Sequence, residues 1–223
     1  MVEVQGSYCP TVEQKCLRWL DPDNEGVNGP VRCAEFAPTI CRADLRPKHF
    51  CVDRFEWPNQ RGVLPTVELT FLEMKANCEG AGKRLCTASE LTFACEGPKM
   101  KPYPYGDGLH RDSDACNIDR PWIDPFAWRS PVTGVTVQPT PFVVVDQRVL
   151  AGSKLACVSD FGVYDPVGNA DEWALNESGK PYASALSGGH WALGARARCR
   201  PKTLAHNERF RFYVTGGRCC KDP

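Results

Sequence analysis

The chain has 223 residues, and its 27 Lys and Arg are matched by 27 Asp and Glu, so the formal net charge is zero. That balance argues against a nucleic-acid partner, since such domains usually carry a basic face. Apolar residues make up 42%, enough to bury a core in one large domain or in one domain with an appendage, and nothing points to disorder.

Met1 is followed by Val2, Glu3 and Gln5, without the basic and apolar regions of a secretory signal. The chain is therefore either cytosolic or a mature form whose leader is not present in the sequence. Its thirteen cysteines favour the second choice. No CxxC pair of the kind that grips a zinc ion occurs, so disulfides are the better reading, six at most with one thiol left over. The expected location is extracytoplasmic: secreted, periplasmic or surface-attached. The longest apolar run, Phe142–Val145, is too short for a transmembrane segment.

Residues 1–48 read as a cysteine-rich N-terminal extension. Cys9/Cys16 and Cys33/Cys41 lie at short spacings among the turn signals Asp21 to Gly26 and Asn28-Gly29-Pro30. Two local disulfides, Cys9–Cys16 and Cys33–Cys41, are expected to hold this coreless segment. Residues 49–223 have the texture of a folded domain. Phe50 to Trp57 alternates like a half-buried strand that Pro58-Asn59 ends. Thr70 to Glu73 is a capping box that opens a helix running through Cys78, stopped by Gly80 and Gly82. Thr87 to Glu90 is a second capping box, opening a helix that carries Leu91, Ala94 and Cys95 and closes at Gly97-Pro98. Beyond it no helical period is visible. Short strands are expected at Phe142–Val145 and Arg211–Val214. The pattern is α+β, with few helices, short strands and long ordered loops.

Several ordered motifs carry a resemblance. They are Cys78-Glu-Gly-Ala-Gly-Lys-Arg-Leu85, Thr87-Ala-Ser-Glu90, Ala94-Cys95-Glu-Gly97, Tyr103-Pro-Tyr-Gly-Asp107 and Cys116-Asn117-Ile118. Phe161 to Trp173, Gly188-Gly-His-Trp191, Arg196-Ala-Arg-Cys199 and Gly216-Gly-Arg-Cys219 follow. Over residues 49–222 the sequence resembles the formylglycine-generating-enzyme (sulfatase-modifying-factor) family. The resemblance implies that family's variant of the C-type-lectin-like fold; function has to be argued at the sites.

The resemblance implies a structural calcium site with Asp165, Gly168, Ala170 and Glu172 as ligands, two carboxylates and two carbonyls of the sort calcium takes. Asn169 orients that loop or donates an oxygen, or holds it as a metal-free turn by side-chain hydrogen bonds. A second calcium site would begin at Asn117 and Ile118, with Asp146 as a candidate. The resemblance also implies the disulfides Cys78–Cys219 and Cys95–Cys199. Read in isolation, Cys199 between Arg198 and Arg200 would instead be a thiol of lowered pKa. Cys220 is matched with Cys51.

The sequence departs from the family where the catalytic members carry two copper-binding cysteines. The corresponding segment, Ala192-Leu-Gly-Ala195, is shorter and holds no cysteine, and Asp171 replaces a tryptophan. Without soft sulfur ligands, copper-dependent formylglycine synthesis has no support. Asp171, His190, Trp191, Arg196 and Arg198 are expected to line a cleft for a peptide, protein or glycan ligand, with Trp191 in the core and the arginines in ion pairs as the other reading. The alternative to a binding module is a diverged oxidoreductase dependent on non-heme iron, held by His190, His206 and Glu208. Asn176-Glu177-Ser178 is a formal glycosylation sequon.

Overall fold

The computed structural model describes residues 1–21, 32–192 and 194–223. The turn signals at 22–31, and Leu193 in the shortened segment, lie outside the described residues. The first elements are β1 (Val2–Tyr8), β2 (Val12–Glu13), β3 (Cys16–Trp19), β4 (Cys33–Phe36), β5 (Ile40–Cys41) and β6 (Arg46–Val52). Then come α1 (Phe71–Gly80), β7 (Arg84–Leu85), α2 (Ala88–Glu96), β8 (Trp128–Arg129), β9 (Thr136–Val137) and α3 (Phe142–Val145). The last are β10 (Asp171–Leu175), β11 (Ser184–Ser187), β12 (Lys202–Thr203), β13 (Thr215–Gly217) and β14 (Cys219–Lys221).

Two four-stranded sheets carry the fold, ordered β1-β6-β14-β7 and β12-β11-β10-β13. The first residues are not coreless. β1 pairs antiparallel with β6 from Val2 opposite Val52 to Tyr8 opposite Arg46. Its alternation turns Val2, Val4 and Tyr8 inward, where they join Phe50, Val52, Leu91 and Phe93 in one core cluster. β6 stops earlier than its alternation suggests: the Asp53 N–H still donates to the Cys219 carbonyl, but the Cys219 N–H turns to the buried Asp53 carboxylate, which also binds Lys83 Nζ at 2.6 Å.

Both capping boxes form. Thr70 Oγ1 accepts from the Glu73 N–H while the Glu73 carboxylate accepts from the Thr70 N–H, and Thr87 and Glu90 repeat the exchange. Every residue of α2 is buried, because the helix touches β6 of one sheet and β10 and β11 of the other.

Two expected strands are absent. Phe142–Val145 is a single helical turn after Pro141, with Val145 buried and Val143 exposed. At Arg211–Val214 the chain turns, Thr215 N–H and Oγ1 both donating to the Phe212 carbonyl, and extension begins only at Thr215.

Six disulfides form. Cys78–Cys219 and Cys95–Cys199 are as the family resemblance implies, so Cys199 is no reactive thiol. The N-terminal pairs are nested rather than local, Cys9–Cys41 around Cys16–Cys33, because β2 pairs with β5 and β3 with β4. Cys220 bonds Cys86 rather than Cys51, since β14 lies between β6 and β7. Cys116–Cys157 is the sixth bond and Cys51 is the free thiol.

Candidate functional site

The loop before β10 is wound by left-handed residues, Asp165 at φ 53°, Gly168 at 80° and Asn169 at 56°. Gly168 is required for space as well, because a Cβ there would meet the Asn117 carbonyl oxygen at 2.4 Å. Asn169 orients the loop. Its Oδ1 accepts from Asn117 Nδ2 and the Val149 N–H, and its Nδ2 donates to Glu56 Oε2 at 2.7 Å. Glu172 is gripped by Arg218, whose Nε donates to both carboxylate oxygens at 2.8 and 3.0 Å.

Asp165 Oδ2 accepts from the Gly152 N–H at 2.7 Å, while its Oδ1 is buried without a partner. Burial pushes the Asp165 carboxyl up to about 6 and raises Glu56 well above its ordinary range, helped by the charges of Asp165 and Glu172. Three buried carboxylates thus face one guanidinium. On charge, and on the orphaned Asp165 oxygen, this loop fits a cation. No group of three or more His, Cys, Asp or Glu converges in metal-holding geometry among the described residues, so any such ion would depend on backbone carbonyls as well. The set beginning at Asn117 and Ile118 offers less: Asn117 Oδ1 accepts from Arg120, and Asp146 is held by Arg148 at 2.7 Å.

A cleft of about 310 Å³ opens beside β10 and β13. Asp171, His190 and Arg196 line it, with His206, Phe126 and Phe212. The residue standing where the family has tryptophan is explained by this floor: the almost fully buried Asp171 carboxylate is paired with both Nη atoms of Arg196, which cancels its charge. His190 Nδ1 accepts from the Ala192 N–H at 3.3 Å, so the ring proton resides on Nε2. Burial lowers the His190 pKa, which keeps that neutral form. His206 stacks on Phe210 with centroids 3.7 Å apart. A second groove of about 470 Å³, walled by Pro125, Pro139, Pro141 and Tyr213, shares Phe126 and Phe212 with the first.

Two expected cleft residues lie elsewhere. Trp191 is fully buried in the cluster with Tyr213 and Ala170. The Arg198 guanidinium lies 5.2 Å over the Phe36 ring and reaches Gln14 at 3.4 Å. Nor do the three groups named for iron converge. His190 and His206 share the cleft, but the Glu208 carboxylate accepts from the Ala183 N–H at 2.7 Å, and His190 Nε2 carries a proton rather than a lone pair. The sequon asparagine, Asn176, is buried and spends its amide N–H groups on the carbonyls of Lys180 and Tyr182. The walls Phe126, Phe210 and Phe212 were not expected from sequence; the one signal is the Arg209-Phe210-Arg211-Phe212 alternation.

A family model described as a sulfatase-modifying factor enzyme 1-like domain matches residues 26–223. No curated protein matches. Among solved structures, CarF is 13% identical, covering 78% of this chain and 74% of that one at a TM-score of 0.47. PvdO from Pseudomonas aeruginosa is 16% identical with 95% and 92% covered, also at 0.47. The Treponema denticola variable protein 1 is 12% identical with 99% of each chain covered, again at 0.47.

Proposed function

We propose that this chain, which belongs to the sulfatase-modifying factor enzyme 1-like family, is an extracytoplasmic binding module that performs no copper-dependent oxidation. Its ligand is a peptide or protein segment that places an apolar side chain in the cleft over Asp171 and Arg196. The observation that carries this reading is the make-up of the cleft. Its floor is a self-neutralised ion pair, its walls are phenylalanines, and the His190 and His206 rings add polar groups suited to a peptide backbone. No cysteine lines it, and every cysteine but Cys51 is in a disulfide, so the soft ligands that copper(I) needs are not at hand. Six disulfides support the oxidising location. A structural calcium ion at the Asp165–Glu172 loop belongs to the same reading, with the Asp165 carboxylate and the Gly168 and Ala170 carbonyls as its donors, while Glu172 is held by Arg218. When bound, it supplies the positive charge that the buried carboxylates lack.

The test is binding of the oxidised protein to arrayed peptides and glycans. Peptides with aromatic or aliphatic side chains should bind, and Phe126→Ala, at a position 70% exposed, should weaken them by about tenfold without lowering the melting midpoint. Glycan binding alone would replace the peptide ligand. Stoichiometric copper or iron in freshly purified protein would overturn the module reading.

A further inference from the structure

Between the end of the β1–β6 pair and the start of α2 lies a cleft of about 210 Å³, lined by Tyr8, Arg46, Lys48, Ser89, Glu177 and Lys202. It shares no lining residue with the Asp171–Arg196 cleft. We propose that this cleft is an oxyanion site, taking a sulfate or phosphate group between Arg46, Lys48 and Lys202.

The strand pattern places the cations there. Phe50 and Val52 face the core from β6, and alternation puts Lys48 and Arg46 on that same face, opposite Gly6 and Tyr8 of β1. A strand whose core-facing positions turn basic at one end no longer builds core there; it lines the cleft. Lys48 Nζ donates to Ser89 Oγ at 2.6 Å and lies 3.7 Å from Glu177. The Glu177 carboxylate is already spent on the start of α2, accepting from the Ser89 N–H at 2.9 Å and from Ser89 Oγ at 2.5 Å. Arg200, 5.4 Å over the Tyr8 ring, is engaged by Glu96 through two 2.6 Å contacts.

Lys202 has no ion pair or hydrogen bond through its ammonium among the described residues, although it is half-buried in β12. Burial and the nearby charges of Arg200 and Lys48 lower its pKa, against the pull of Glu177 and Glu96. The lining thus carries three cations, Arg46, Lys48 and Lys202, against one carboxylate, Glu177, and a dianion supplies the missing charge. The chemistry suits a tetrahedral oxyanion rather than a metal or an apolar ligand.

Thermal melting in sodium sulfate, sodium phosphate and sodium chloride at matched ionic strength tests the site. Sulfate, phosphate or both should raise the midpoint in a saturable way beyond chloride, and the more effective anion names the source. Lys202→Met should abolish that shift while leaving the anion-free midpoint unchanged or higher, because an unpaired half-buried charge is removed. Arg46→Gln, at an exposed position, should weaken the apparent affinity by about tenfold. It reads the site even if Lys202→Met does not fold. Equal shifts in all three salts, or an undiminished response in a folded variant, would overturn the proposal.

Discussion

Arg218 and Glu172 form a buried ion pair in which the guanidinium Nε lies 2.8 and 3.0 Å from the two carboxylate oxygens and Nη2 lies 2.5 Å from Oε1. The same guanidinium also donates to the carbonyls of Asp53, Tyr164 and Asp165 at 3.0 to 3.2 Å. It ties the junction of β13 and β14 to β10 and the Asp165 loop around three acids. Arg218→Met should therefore cost about 3–5 kcal/mol, since it strands buried carboxylates without their counter-charge. The cost is read as a lower urea midpoint at unchanged slope. Replacing Glu172 by Met as well should recover part of it, and a double variant no better than the single would locate the loss elsewhere.

Calcium should raise the melting midpoint and a chelator should lower it. At a hundredfold excess over the dissociation constant, the linkage is worth about 2.7 kcal/mol. Asp165→Ala removes the orphaned oxygen and should erase the difference between the two conditions. An identical midpoint with and without chelator in the unaltered protein would count against the ion.

The nested N-terminal disulfides give a mapping experiment. Non-reducing digestion should yield Cys9 linked to Cys41 and Cys16 linked to Cys33, and unfolded protein should titrate one thiol, Cys51. Replacing Cys16 and Cys33 together by serine, which opens a loop of sequence separation 17, should cost about 3 kcal/mol.

Stability should also depend on pH through Glu96. Burial pushes this carboxyl up to about 7 from its ordinary 4.5, in spite of Arg200, and its side chain has no solvent exposure. As pH falls through 7 the folded protein binds a proton that the unfolded chain does not bind until near 4.5. Glu96 therefore stabilises the fold progressively over that window, by about 3 kcal/mol. Denaturant unfolding at pH 7.5 and 5 should show the gain in the unaltered protein relative to Glu96→Gln, in which this contribution is absent.

The sequence by itself determined the features written in local chemistry. Two capping boxes start two helices, because a Thr and a Glu three residues apart satisfy the first N–H groups wherever they occur. The ordered motifs named the family, and with it the Cys78–Cys219 and Cys95–Cys199 bonds and the absence of cysteine from the shortened segment. An excess of cysteine over any metal pattern implied disulfides. The tertiary structure decided what depends on which strands become neighbours. Cys86 rather than Cys51 meets Cys220 because β14 enters between β6 and β7, and the N-terminal pairs nest because their strands pair outside-in. It also decided which charges meet. Nothing in the spacing of Asp171 and Arg196, or of Glu172 and Arg218, says that they pair, and it is burial that made those pairings necessary. The cleft walls followed the same rule. The turn at Arg211–Val214 replaced an expected strand, and Phe212 in that turn, with Phe210 just before it, lines the cleft that the expected residues Asp171, His190 and Arg196 floor, while Trp191 went to the core.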